Sequence, residues 1–327
     1  MPSSQQQPST KQMSTAARPL IKWVGGKTQI LPIVLAEFPA AIRNYHEPFV
    51  GGGATLLGAL SLGRITGTVY ASDINPHLIA MYRNVQQYPG PVIRALGSLQ
   101  RDYEAATATA ASQTGLVADR SPTTRAAALR HPESYYYWIR TAFNGLPPAR
   151  RTSPTAAAML IFLNKTCFRG VYREGPHGFN VPFGNYRAPT ILDEANIRAV
   201  SALIQGVVFT CQSFEAALAT AAAAAAVPTA ATATDFVYLD PPYVPLTATS
   251  FVGYVADGFT AAQHADLFAR VRALSTPFLL SNADVPLLRT EFPEPSYSVR
   301  TVDVRRAIHS KNPDSRATEV LIQRQAT

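Results

Sequence analysis

The tetrapeptide Asp240-Pro241-Pro242-Tyr243 combines residue types that can hold a planar group bearing an exocyclic amine. A carboxylate and a backbone carbonyl accept the amine's two N–H bonds, and the tyrosine face stacks on the ring. The prolines stiffen the arrangement. Each fixes its own φ and pushes the residue before it out of the helical region. Phe236-Val-Tyr-Leu239, an apolar run of strand-forming residues, leads into it. A buried strand is therefore predicted to end at Asp240, the end at which open α/β sheets bind ligands. The plain alternative is a proline-rich turn with Asp240 as an ordinary turn residue.

Three upstream stretches complement this elbow. Arg18 to Leu31 reads as a short strand, a Gly25-Gly26 turn and a helix start, with Trp23 able to cover an aromatic ring and Lys27 able to meet a carboxylate. Tyr45 to Leu60 reads as a strand running into Phe49, a turn over Gly51 to Gly53, and a helix from about Ala54. Backbone can approach a ligand closely at such a turn, and the helix start favours negative charge. Val69-Tyr-Ala-Ser-Asp73 is a further strand ending in an acid, 20 residues after Gly53. That is the spacing at which an acid reaches a ribose diol in nucleotide-binding α/β folds. The GxGxxG fingerprint and the P-loop are both missing from the sequence. A cofactor with a nucleoside but no pyrophosphate is expected, and S-adenosylmethionine fits.

The elements that position these residues need a large core. The chain has 327 residues, 47% of them hydrophobic, enough for one large or two modest domains and too apolar for a disordered chain. No apolar run reaches the length of a membrane span. Met1 to Ala17 is rich in Gln, Ser and Thr and lacks an apolar core, so neither a signal peptide nor a structured element is expected. Cys167 and Cys211 make no disulfide framework and no CxxC site, which points to a reducing cytoplasm. The net charge of +8 suggests a polyanionic partner. Between Arg140 and Arg187 stand seven Arg/Lys against one acid, Glu174.

Residues 76–130 read as mainly helical, with one helix ending before Pro89 and a variable helix or loop over 104–130. Tyr135 to Gly145 and Ala156 to Asn164 read as two more helices. Asn164 to Tyr186 is predicted to carry a β-hairpin, two short strands flanking Glu174-Gly-Pro-His-Gly178. Its arginines can read guanine or neutralise phosphate, and an aromatic at its base can wedge between bases. Downstream come a helix and strand over 191–214 and an Ala/Thr run over Ala216 to Thr234. A segment over the site at Phe251 to Phe259 follows, then a helix over 260–274 capped by Thr260. A core strand over Pro277 to Asn282 and a tail strand at Glu319 to Ile322 complete the reading, with Arg305-Arg306 as a phosphate contact or a solvated pair.

Taken in order, these stretches resemble the Dam-type (D12 class, alpha group) DNA adenine-N6 methyltransferases over roughly 18–322. The anchors are Lys22-Trp-Val-Gly-Gly-Lys27, Glu47-Pro-Phe-Val-Gly-Gly-Gly53, Ser72-Asp-Ile-Asn75, Asn164-Lys-Thr-Cys-Phe-Arg-Gly170, Phe179-Asn-Val-Pro-Phe-Gly184 and Asp240-Pro-Pro-Tyr243. The resemblance implies an α/β fold. A Rossmann-like methyltransferase sheet would be formed by 18–75 and 190–327, with an inserted, mainly helical DNA-recognition domain over 76–189 that carries the hairpin. It implies that Trp23, Gly26, Lys27, Phe49, Gly51, Gly53, Asp73 and Asp240 hold S-adenosylmethionine. Asp240, Pro241, Pro242 and Tyr243 would hold a flipped adenine. Lys22, Phe168, Arg169, Arg173, Asn180 and Pro182 would meet duplex DNA, with Phe168 as wedge, Arg169 on phosphate and Arg173 on guanine. GATC is the implied target, and a cognate restriction endonuclease is a partner such an enzyme can have. Two departures stand out. Arg169 replaces an Asn common in relatives, and the hairpin loop is about one residue shorter than theirs.

The implied reaction is direct methyl transfer without a metal. A zinc-dependent deaminase would need HxE and PCxxC signatures, which the sequence lacks. Methyltransferases of RNA or of protein glutamine share the sheet, but the hairpin favours duplex DNA. A binding protein with a decayed site is disfavoured by the presence of Trp23, Lys27, Asp240 and Tyr243 together.

Overall fold

The structure is a computed structural model and describes residues 17–226, 233–245, 259–305 and 316–325. The expected tail over Met1 to Ala16, the later part of the Ala/Thr run, the segment from Phe251 up to Phe259, and Arg306 lie outside the described residues.

The first third of the chain forms α1 (Leu31–Ala36), β1 (Ile42–Glu47), α2 (Ala54–Ser61), β2 (Val69–Asp73) and α3 (Pro76–Gln87). A helical block follows: α4 (Pro89–Ser112), α5 (Arg125–Ala128), α6 (Pro132–Asn144) and α7 (Pro154–Thr166). A short hairpin comes next, β3 (Glu174–Gly175) and β4 (Gly178–Phe179), then α8 (Glu194–Leu203), β5 (Val207–Cys211), α9 (Phe214–Ala225) and β6 (Thr234–Leu239). The chain ends with α10 (Ala261–Ala273), β7 (Phe278–Ala283), α11 (Pro286–Glu291), β8 (Tyr297–Arg305) and β9 (Arg316–Arg324).

Seven strands form one sheet in the order β5-β2-β1-β6-β7-β9-β8. β5, β2, β1, β6 and β7 run parallel, while β9 runs antiparallel to both β7 and β8. The order reverses between β1 and β6, so the crevice at their carboxyl ends is the topological switch point. Both the Gly51–Gly53 turn after β1 and the elbow after β6 fall there.

Alternation along the central strands decides which face each residue covers. Phe236 and Tyr238 of β6, Leu279 of β7 and Leu321 of β9 join one core. Their neighbours Val237, Leu239, Leu280, Val320 and Ile322 join the other, beneath α9 and α10. The first core continues without a break into the helical block, through Tyr103 of α4, Tyr135 of α6 and Phe162 of α7. Helix starts there follow local chemistry. α3, α4, α6 and α7 each carry proline in the first turn, where its missing N–H costs nothing. Side chains of Asn75, His131 and Ser153 cap three of them.

Two readings are corrected. Residues 18–24 form no strand. The backbone there is tied to two asparagine side chains, Asn196 at Arg18 and Asn164 at Lys22, rather than to a sheet. The hairpin strands are two residues each and begin at Glu174 and Gly178, so the turn shrinks to Pro176 and His177. The first part of the stretch read as a helix or loop, 104–112, continues α4. Among the described residues, no helix is long and apolar enough to cross a membrane.

Candidate active site

Several elements converge on the elbow and hold it. Lys27 is buried, and its ammonium donates to Asp240 Oδ1 at 2.6 Å, to Asp240 Oδ2 at 2.7 Å and to the Gly25 carbonyl at 2.7 Å. All three of its protons are committed. The same ammonium lies 4.8 Å from the Tyr243 ring centroid. His264 of α10 places Nε2 3.0 Å from the Pro242 carbonyl and Nδ1 3.1 Å from the Thr260 carbonyl. Tyr243 Oη donates to Glu319 Oε2 of β9 at 2.8 Å and lies 2.9 Å from Ser281 Oγ of β7. The Val244 N–H donates to Asn282 Oδ1 at 3.1 Å.

Burial pushes the Asp240 carboxyl up to about 6, opposed by the charge and hydrogen bonds of Lys27 and aided by the like charge of Glu319. Glu47, at the end of β1, is buried, and Tyr45 Oη donates to it at 2.6 Å. Burial is the main reason its carboxyl rises to about 8, with Asp240 adding to the effect.

The glycine turn after β1 is packed too tightly for side chains. Gly53 sits at φ 73°, and a Cβ there would lie 2.6 Å from Tyr82 Oη. Gly51, at φ 46°, would bring its Cβ within 2.8 Å of the Trp23 ring. Only glycine meets both conditions at this turn. Tyr82 Oη donates to the Gly51 carbonyl at 2.9 Å, and the Gly51 N–H donates to Asp73 Oδ2 at 3.1 Å. The Asn75 N–H takes Asp73 Oδ1 at 3.0 Å. A carboxylate offers about four lone-pair sites, and with the N–H groups of Gly51, Ile74 and Asn75 on three of them the Asp73 carboxylate retains one for a ribose hydroxyl. Burial raises its pKa while these backbone bonds lower it. Ile74, beside it, is 63% exposed and offers an apolar surface at the same edge. Phe49 stacks on Phe214 at 5.8 Å below the turn. Gly26 closes the other turn, donating to the Trp23 carbonyl at 3.1 Å.

The hairpin residues form a second cluster. Arg173 Nε donates to Asn180 Oδ1 across the hairpin at 2.6 Å. Phe168 is 49% exposed, with the Arg169 guanidinium 5.1 Å from its ring. Arg169 adopts left-handed backbone, φ 58°, ψ 10°. The Phe168 N–H donates to the exposed Pro182 carbonyl at 2.8 Å. Lys22 is exposed with its ammonium 5.1 Å from the Tyr186 ring. Two asparagines build this cluster. Asn164 accepts the Lys22 N–H at 2.8 Å and donates to the Lys22 and Gly170 carbonyls at 2.8 and 3.0 Å. Asn144 accepts the Phe179 N–H at 2.9 Å and donates to its carbonyl at 3.0 Å. The two clusters meet where Trp23 stacks on Tyr172, ring centroids 5.3 Å apart.

The structure thus brings Lys27, Asp240 and Tyr243 into direct contact and puts Trp23, Gly51 and Asp73 at the neighbouring strand ends. Sequence reading missed Ser281, Asn282, His264 and Glu319. Their only signal was position, at the ends or edges of elements packed on the elbow.

Residues 23–308 match the family model described as D12 class N6 adenine-specific DNA methyltransferase. The chain is 35% identical to "Type II methyltransferase M.MjaIII" of Methanocaldococcus jannaschii over 253 residues, 74% of this chain and 75% of that protein. It is 30% identical to "DNA adenine methylase" of Escherichia coli strain K12 over 311 residues, 93% of this chain and 94% of that one. It is 26% identical to "Type II methyltransferase M1.LlaDCHI" of Lactococcus lactis over 313 residues, again 93% and 94%.

Proposed function

The chain belongs to the D12 class of N6 adenine-specific DNA methyltransferases, and from that membership we propose that its methyl donor is S-adenosylmethionine and its catalytic site is the elbow from Asp240 to Tyr243. The observation that carries this is the Asp240 carboxylate, held by buried Lys27 beside the anchored Tyr243 ring at the switch point.

The donor set suits the cofactor. Asp73 keeps a lone pair for a ribose hydroxyl, Ile74 offers an apolar face to a nucleobase, and Trp23, Gly26, Phe49, Gly51 and Gly53 shape the turn beside them. S-adenosylmethionine supplies a methyl group on a sulfonium, whose sulfur leaves as a neutral thioether. The protein's task is to make adenine N6 a better nucleophile. Its lone pair is delocalised into the ring. Hydrogen bonds from N6 to the Asp240 carboxylate and to the Pro241 carbonyl draw the amine toward tetrahedral geometry and localise that pair. Fixed positioning lowers much of the remaining barrier. The base must leave the duplex, and stacking on Tyr243 offsets part of an unstacking cost of a few kcal/mol. Asp240 can then take the proton that N6 releases.

In this reading 18–75 and 190–327 carry donor binding and transfer, and 76–189 reads DNA. Phe168 wedges the duplex, Arg173 with Asn180 reads guanine, and Lys22, Arg169 and Pro182 line the backbone, with GATC as the target. Similarity to a type II methyltransferase supports a cognate restriction endonuclease as partner, and the enzyme works in the cytoplasm on chromosomal DNA.

Mapping N6-methyladenine in DNA from cells expressing the chain tests this. A single methylated motif is expected, lost in Asp240→Ala, whose purified form keeps its fold by circular dichroism. Methylation persisting in that variant would overturn the assignment of the elbow.

A further inference from the structure

Tyr243 carries its hydroxyl into a chain of three oxygens. Its hydroxyl donates to Glu319 Oε2 at 2.8 Å and also hydrogen-bonds the Asp240 carboxylate, so the 2.9 Å contact with Ser281 runs from Ser281 Oγ–H to Tyr243 Oη. The chain therefore has one direction, from Ser281 through Tyr243 to a carboxylate. Ser281 is fully buried in β7, and Glu319 lies on β9, its antiparallel neighbour. Asn282, the residue after Ser281, takes the next N–H along the elbow, that of Val244.

A carboxylate here carries a penalty. Asp240 is faced by Lys27 from the N-terminal turn, Glu319 from β9, Tyr243 on the elbow itself, Glu47 from β1 and Tyr238 from β6. A second negative charge works against ionisation of the carboxylate that must accept the N6–H. A neutral acceptor would hold the phenol without that conflict, though less strongly, since charge-assisted hydrogen bonds are about twice as strong as neutral ones. Hydrogen bonds to the hydroxyl from two strands anchor the far end of the ring axis before any base arrives, so that part of its ordering is not charged to binding.

We propose that Glu319, acting with Ser281 through the Tyr243 hydroxyl, is a positioning residue of methyl transfer that fixes the ring on which the flipped adenine stacks. This rests on the elbow being the adenine site. The test is methylation of a duplex oligonucleotide by Tyr243→Phe, Glu319→Gln and the double variant, with Asp240→Asn as reference. Each single variant is expected to lower kcat by roughly 10- to 100-fold, the scale of a small misplacement. Because both act through one hydroxyl, the double variant should be no slower than Tyr243→Phe alone. S-adenosylhomocysteine binding, measured by calorimetry, should not change. The acid limb of kcat/KM should move to lower pH in Glu319→Gln, a shift that loss of packing alone would not produce. Losses that multiply in the double variant, or an unmoved acid limb, overturn the proposal. If Glu319→Gln fails to bind S-adenosylhomocysteine, the cycle of Ser281→Ala with Tyr243→Phe carries the same expectation and the same refutation. Turnover retained by Asp240→Asn would remove the elbow reading itself. An inactive Asp240→Asn with a multiplicative cycle removes only the role of Glu319.

Discussion

Asp240 is subject to opposed pressures. Burial drives its carboxyl up to about 6, and Lys27 keeps it from rising further. In the proposed transfer it accepts the N6–H and so must be ionised. With its pKa raised on folding, the active ionised form is lost as pH falls through about 6. We expect kcat/KM on duplex DNA to drop below that pH, and Lys27→Met to move the acid limb upward by about one unit or more, equivalent to at least 1.4 kcal/mol of lost stabilisation. A pH–rate profile measures both, and an unshifted limb in Lys27→Met would show that the ammonium does not tune Asp240. Arg169 poses a different problem. It occupies left-handed backbone, φ 58°, a region that Asn enters at lower cost than Arg.

At the scale of elements, strand ends and glycine turns were legible because strong local rules set them. Strand alternation, a stiff proline pair and glycine before a helix all act within a few residues. The elbow after β6, the turn before α2 and the capping box of Thr260 with Gln263 at α10 all fall where periodicity and turn chemistry put them. What holds those elements to one another was not legible. Asn144 and Asn164 bind backbone 35 and 142 residues away, and no local pattern marks such a partner. Asn164 stood within a motif, but its use as a clamp on Lys22 shows only in three dimensions. The same holds for residues 18–24, whose composition suggests a strand while their hydrogen bonds go to side chains. These clamps predict a selective defect. Asn144→Ala leaves the Phe179 N–H and carbonyl without their partner, which should cost about 1–3 kcal/mol of local stability. Hydrogen exchange over 173–180 should rise and DNA affinity fall, while S-adenosylhomocysteine binding holds. Unchanged exchange in the hairpin would mean that packing of Phe179 suffices.

For the whole molecule, the central strands bury groups that resist charge. His46 is 2% exposed, stacked on Tyr70 at 4.8 Å, and burial lowers its pKa to about 4. Lowered below its usual value, His46 contributes stability that is complete above about 6.5 and lost as pH falls through about 4. Glu47 acts in the opposite sense. Raised to about 8, it contributes stability that is present below about 4.5 and lost as pH rises through about 8. Below about 6.5 the His46 trend offsets part of the loss from Glu47 and Asp240, and of these three only Glu47 acts above it. Unfolding free energy should therefore fall between pH 6.5 and 8 by about 2 kcal/mol, and Glu47→Gln should flatten that slope. Urea denaturation at the two pH values is the check, and an equal slope in Glu47→Gln would assign the effect elsewhere.

The pairing of Lys27 with Asp240 also bears on how the protein is made. The two residues are 213 positions apart. At a translation rate of about 5–20 residues per second, Lys27 leaves the ribosome about 10–40 s before its carboxylate is synthesised. Glu319 comes later still, on a final strand that must slot between β7 and β8 rather than add to an edge. A nascent chain can complete its helical block and hairpin early, yet this brace of its elbow arrives 76 residues after Tyr243 itself. Premature termination before β9 would thus release a chain that has made its helical block and hairpin but lacks the support for Tyr243.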